Sequence, residues 1–328
     1  MKYLPLIPFL FIFLLSCNKP EEPFVEPKPE PEVIDSTYAG FNMYYLKDEK
    51  LTGTDVADMK LSELELQKKP FVAQGNIQYY DTSSHVIHLF EAVTLPGMKV
   101  SVYGKPFVVV TDTIRHYLGV IWPMYSSASY WGPVIDDTPR FYPNDIIKIS
   151  MGRAPTPQPD PRLNNVIIQT LKGKGVFHAG ITCTIDKVEI VENDLINNRS
   201  RLSYTITIKN NDEFNLYVFD PLKMGDAYFH YYHNGIYLRG KDNLYQSTTG
   251  SQIPGSGENP LSWLIKLNSK DSITRTLQKT GYPYIPKGNY SCGFDFDGLN
   301  SVAKSTREQP DGRVWIGRVT AIDSVKFN

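Results

Sequence analysis

The second half of this chain is written in a period of two. In Leu202-Ser-Tyr-Thr-Ile-Thr-Ile-Lys, the residues Leu202, Tyr204, Ile206 and Ile208 share one face and polar groups take the other. Side chains alternate across a strand, so this run buries its apolar set only as a strand. Strand signals recur through the region: Ile181–Val191, Arg201–Lys209, Leu216–Phe219, Tyr228–Tyr232, Ser262–Leu267, Ser272–Leu277, Gly288–Phe296 and Val314–Val325. Turn sequences such as Lys209–Glu213 and Phe296–Leu299 separate them. Short strands at this spacing predict an all-β sandwich over residues 179–328.

Residues 34–178 have a different texture. His85–Phe90 and Asp145–Ser150 read as strands. Phe107–Thr111 and Ile114–Trp122 read as a hairpin around Asp112, with a further turn back into Gly132-Pro-Val-Ile135. A helix is expected from Asp160 as N-cap and Pro161 at the first helical position, with Leu163, Val166, Ile167 and Leu171 on one face and Gly173 as its stop. A second helical stretch is expected over Asp55–Gln67. Strands mixed with one or two helices predict an α+β domain here.

The chain opens differently again. Met1-Lys2 is a short basic start, and Tyr3–Leu15 is an apolar run shorter than the roughly 20 residues of a membrane-spanning helix. Residues 1–16 fit a signal peptide. The run ends in Leu14-Leu15-Ser16-Cys17. This resembles the lipobox of bacterial lipoproteins, and the resemblance implies cleavage before Cys17 and lipid on its thiol. Each buried lipid CH₂ contributes about 0.8 kcal/mol, so two or three chains make a durable anchor. Residues 17–33 are then the lipidated cysteine and a Pro- and Glu-rich tether. That composition cannot form a core and favours an extended spacer at about 3.1 Å per residue. Lys19-Pro20-Glu21-Glu22 is similar to the charged export signal of surface lipoproteins from Bacteroidetes-type bacteria. The resemblance implies an outer-membrane anchor facing the cell exterior, and a periplasm-facing anchor is the alternative.

A second resemblance concerns the sandwich. Leu202–Asn211, Leu216–Pro221 and Pro286-Lys-Gly-Asn-Tyr290 are similar to bacterial immunoglobulin-like domains, where a short lysine- or proline-bearing turn precedes a Gly-x-Tyr strand.

The chemistry-bearing residues form few patterns. Net charge is −1, with no basic excess to bind nucleic acid. His85 and His88 are three apart, as are His230 and His233, so on strands each pair points to opposite faces. Neither HExxH, Gly-x-Ser-x-Gly nor a complete phosphate loop occurs. Asp295-Phe-Asp297-Gly298 reads as a turn after a strand. No metal, cofactor or catalytic residue is expected. A glycosidase could still assemble two carboxylates from distant positions. Cys183 and Cys292 both lie in expected strands; a disulfide is allowed outside the cytoplasm, and two buried free thiols are the alternative.

Aromatic residues give the strongest functional clue. Trp122, Tyr125, Tyr130 and Trp131 crowd into one expected loop among small polar residues. Rigid rings supply contact area at low entropic cost and stack on the apolar faces of sugars. Ligand binding and packing between domains are both open for this cluster. For Tyr228–Tyr237 the reading is a strand and turn with alternate rings buried. Together these features predict a non-catalytic, lipid-anchored binding or accessory protein, with a glycan or a partner protein as ligand. The alternatives are a structural or adhesion subunit using a sheet edge, and a hydrolase with dispersed acids.

Overall fold

The computed structural model describes residues 38–138, 142–152, 159–224, 235–248, 260–299 and 304–328. The signal segment, Cys17, the tether and residues 228–234 of the second aromatic cluster lie outside the described residues. What is described is mostly strand, in five sheets, and residues 33–328 pack as one compact unit. No described helix is long and apolar enough to cross a membrane.

The first sheet is built on the expected hairpin, Lys105–Thr111 with Ile114–Pro123. Asp112 turns it at φ 53°, a left-handed conformation that Asp tolerates, and its carboxylate accepts the Gly40 N–H at 2.8 Å. Phe41–Tyr45 flanks the hairpin on one side. On the other side the sequence reading needs correction. Pro133–Thr138 pairs parallel to Ile114–Pro123, not as a returning hairpin strand. A parallel partner needs a crossover, so residues 124–132 must double back along the strand end. That geometry fixes where the aromatic loop stands. The short strand Ser150–Met151 closes this sheet. A second sheet orders Ile146–Lys148, Val86–Leu89, Ile77–Asp81 and Phe177–His178.

Helix is scarcer than expected. Asp160 does cap a first turn, accepting the Arg162 N–H at 3.0 Å, but Pro161–Leu163 is a 3-10 turn. The chain is then recapped by Asn164, which accepts from Val166, and the α-helix runs Asn165–Gly173. Recapping changes the phase, so Ile167 and Leu171 are buried while Leu163 and Val166 are exposed. Ile167→Ala should therefore destabilise by about 2–3 kcal/mol and Leu163→Ala by under about 0.5 kcal/mol in urea titrations. Equal effects would contradict the observed phase. Asp55–Gln67 is not a helix. Its imperfect spacing resolves into single turns at Gly53–Val56 and Leu61–Glu63 and a bridge from Leu66 to Leu46. Val56 and Leu64 still bury beside Tyr44 and Val108.

The second half follows its alternation closely. Ile181–Asp194, Arg199–Asn210 and Ser272–Tyr282 form an antiparallel sheet. Leu244–Tyr245, Tyr237–Arg239, Gly288–Asp297 and Arg318–Phe327 form another. Leu202, Tyr204, Ile206 and Ile208 all face a core shared with Phe294 and Phe296. A third sheet gathers Leu264–Leu267, Leu216–Phe219, Gly312–Val314 and Glu308–Gln309. The expected strand Val314–Val325 is split between two sheets, because Gly317 bends the chain at φ 122°.

That bend carries the seam to the first half. Trp315 Nε1 donates to Asp81 Oδ2 at 3.0 Å, and Ser84 Oγ donates to the Ile316 carbonyl at 3.0 Å. Beside them the Arg313 guanidinium lies 4.1 Å from the Tyr79 ring centroid and 4.7 Å from that of Phe214. His88 stacks on Tyr79 at 3.9 Å, and His178 meets both Tyr79 and Phe214 edge-on. Arg307 pairs with Asp145, both largely buried. Sheets from the two halves are thus locked by buried polar and stacked groups rather than by an apolar contact alone.

Candidate functional site

Two features of the surface carry chemistry. The first is the aromatic loop. Trp122 stands near the end of its strand, half-buried, against Gly104 at φ 73°. A side chain at Gly104 would fall 3.0 Å from the indole and 2.1 Å from Val120. Tyr130 lies 6.1 Å from Trp122 between ring centroids. The two therefore form the footing of the loop. Tyr125 Oη donates to the Val100 carbonyl at 3.1 Å and Ser126 Oγ to the Val102 carbonyl at 2.6 Å. These bonds pin residues 124–132 to the segment 97–104.

Upon that footing Tyr125 and Trp131 are 52% and 55% exposed. The pinned neighbour adds exposed Met98, Val102 and Tyr103, and the loop itself adds Met124. Of the four loop residues singled out from sequence, Trp131 and Tyr125 are exposed, and Trp122 and Tyr130 are half-buried and pair with each other. Large apolar groups clustered at the surface are uncommon unless something covers them. Met98, Val102 and Tyr103 escaped the sequence reading because only carbonyl contacts, some 25 residues apart, join their segment to the loop. Ser127 and Ser129 in the same loop are exposed.

The second feature is a cleft of about 740 Å³ beside the seam. Asp81 organises its edge. Oδ1 accepts from the Ser83 N–H at 2.9 Å, the Ser84 N–H at 3.1 Å and Ser83 Oγ at 2.6 Å. Ser83 Oγ in turn accepts the Ile181 N–H at 3.2 Å, from the other half. Gly180, at φ 64°, passes so close that a side chain would fall 2.2 Å from Ser83 Oγ. Burial pushes the Asp81 carboxyl up to about 6, against the pull of the donors from Ser83 and Ser84.

Across the cleft Arg162 engages both oxygens of Asp160, from Nε at 2.9 and 3.2 Å and from Nη2 at 2.6 Å. Although burial opposes it, this contact holds Asp160 below the usual carboxylate range. His85 sits in the turn at φ 53°, its Nδ1 3.1 Å from Tyr80 Oη and its Nε2 3.8 Å from Asp160. Burial, helped by Arg162, lowers its imidazole to about 3. Lys148 also lines the cleft, and its ammonium is pulled below the ordinary lysine value by burial and by Arg318. Asp160 is the one carboxylate among the described residues lining this cleft, and Arg162 occupies it. Among those residues there is no pair of free carboxylates about 5–10 Å apart of the kind a glycosidase uses.

The remaining sequence candidates fall elsewhere. His85 is in a turn and His88 in a strand, and among the described residues no group of three or more His, Cys, Asp or Glu is placed to hold a metal. His230 and His233 lie outside the described residues. Asp295 and Asp297 end a strand rather than forming a turn; they bond Thr320 and Arg318. Cys183 and Cys292 are not joined. They stand in different sheets, each side chain filling the common core as a small apolar group. Burial raises both thiols, that of Cys183 to about 12, so neither is a reactive thiolate. Comparison with known proteins leaves the function to be argued from geometry: no family model matches the chain, and no curated protein matches it.

Proposed function

We propose that this chain is a non-catalytic, lipid-anchored surface protein that captures a glycan on the aromatic face of residues 97–104 and 124–132. The observation that carries this reading is the exposure of Trp131 and Tyr125 on a loop held by the Tyr125 and Ser126 hydroxyls and by the Trp122–Tyr130 pair. A flat ring held at fixed height loses little entropy when a sugar stacks on it. Ser127 and Ser129 offer exposed hydroxyls in the same loop. The lipobox and the Pro/Glu tether read from the sequence support an anchor at Cys17 in the outer membrane, with the body held off its surface. We read the second half as an immunoglobulin-like sandwich and the first as a small α+β domain presenting the loop.

Exposed Met98 and Met124 favour a second ligand class, an apolar patch on a partner protein. The adhesion reading has less support. Of the two outer strands of its sheet, Ile181–Asp194 is broken by two register shifts and lies beside Arg318–Phe327, which leaves it a poor template for strand addition; Ser272–Tyr282 is the other edge.

Trp131→Ala is expected to weaken retention by an immobilised polysaccharide about tenfold or more, leaving the thermal midpoint almost unchanged. Affinity electrophoresis on a panel of neutral and acidic polysaccharides reads this directly. Retention of the wild type by none of them would remove the glycan reading and leave the partner protein. Equal retention of the variant would remove this face.

A further inference from the structure

The cleft beside the seam has an imbalance of hydrogen-bonding groups. Its carboxylate is spent, since Asp160 gives both oxygens to Arg162. Other acids stand outside its lining. Asp81 takes its donors from Ser83, Ser84 and Trp315. Asp297 holds Arg318 Nε at 2.5 Å through Oδ1, its buried Oδ2 having no hydrogen bond among the described residues, and Asp295 accepts from Thr320.

The donors are not spent. Lys148 Nζ makes no hydrogen bond or ion pair among the described residues; its nearest aromatic ring, Tyr142, is centred 5.8 Å away. Asp297 and Asp136 act on its charge from outside ion-pair distance. Ser150 Oγ makes no side-chain hydrogen bond among the described residues, and Thr182 Oγ1 only accepts, from Asn211. Arg162 gives two hydrogens to Asp160, from Nε and Nη2, and one to the Ile149 carbonyl, which leaves two of its five N–H groups unused among the described residues. Lining the open cleft, the Lys148 ammonium is placed to pair with an anion that enters it.

We propose that this cleft binds the oxyanion of a small acidic molecule, carboxylate, sulfate or phosphate, with Lys148 as its charge partner and Ser150 and Thr182 as flanking donors. The space of about 740 Å³ suits a ligand of sugar size rather than a bare ion. The site is distinct from the aromatic face. The two are joined through the strand Ser150–Met151, whose neighbour Gly152 donates to the Gly132 carbonyl at 2.9 Å.

Calorimetric titration of the full chain with glucuronate, inorganic sulfate and inorganic phosphate tests this. At least one should bind saturably, and the strongest names the oxyanion. Lys148→Gln should weaken that binding about tenfold or more, while Lys148→Arg retains most of it. Trp131→Ala should leave it unchanged, which separates this site from the glycan face. Lys148→Gln should also melt no lower than the wild type in the absence of ligand. Failure of all three probes to bind saturably would overturn the proposal, as would equal binding by Lys148→Gln. A large loss of thermal stability in that variant would also overturn it, by showing that the lysine serves the fold through Asp297.

Discussion

Asp81→Ala is expected to destabilise the chain by about 3–5 kcal/mol, the largest single-site effect in the account. The carboxylate is buried and receives Ser83 N–H, Ser84 N–H, Ser83 Oγ and Trp315 Nε1. Removing it leaves the buried Trp315 indole N–H and the buried Ser84 N–H unpaired, and the part-buried Ser83 N–H as well. Each unpaired donor costs about 1–3 kcal/mol, and relief of the buried charge returns part of the sum. Asp81→Asn separates these contributions. Its carbonyl oxygen still serves Ser83 and Ser84 and no charge is buried, so the loss should be about 1–2 kcal/mol. Urea titrations followed by Trp fluorescence measure both. A neutral Asp81→Ala would show that the seam does not hold the halves together.

Acid should loosen the same seam. His88 is buried against Tyr79 and faces Arg307, Arg313 and His178; burial first, then those charges, hold its imidazole well below the ordinary value of 6.5. His85 is lowered to about 3 for similar reasons. Both rings are neutral when folded and take protons when unfolded. Each pH unit below about 6.5 therefore favours the unfolded chain by about 1.4 kcal/mol per ring. Asp81 works the other way. Its folded carboxyl is raised to about 6 from 3.8, so as pH falls through that window it regains stability that its burial removes at neutral pH. His116 is lowered by burial as well, and Asp136 and Asp297 are raised by it, so the share of His88 is read by difference. His88→Phe keeps a ring on Tyr79 and removes one titration, so its stability should fall less steeply than the wild type's, by about 1.4 kcal/mol per unit between pH 6 and 4.5. A variant as acid-sensitive as the wild type would place the effect elsewhere.

How much of this was legible in the sequence depends on range. The alternation of Leu202, Tyr204, Ile206 and Ile208 is local, and the strand and its inward face were read correctly. So was the hairpin around Asp112. The direction of Pro133–Thr138 was not, because apolar patterning gives a strand without its partner's orientation. The helix phase failed at one residue, where Asn164 recaps a chain that Asp160 had already started. The aromatic loop was visible as a composition, but which rings are exposed and which half-buried depended on Gly104 and on the carbonyls of Val100 and Val102. The cleft left no trace at all. Asp81 and Trp315 are 234 positions apart, and Lys148 reads as one polar residue in a short strand.

Tryptophan quenching tests the central claim most directly. The chain has four Trp. Trp263 and Trp315 are buried and Trp122 is half-buried, so Trp131 dominates what acrylamide can reach. With a retained polysaccharide bound, the quenchable fraction of the fluorescence should fall sharply, and Trp131→Phe should abolish that change. A polysaccharide that binds without altering the quenching would contradict the account, because its site would not be the aromatic face.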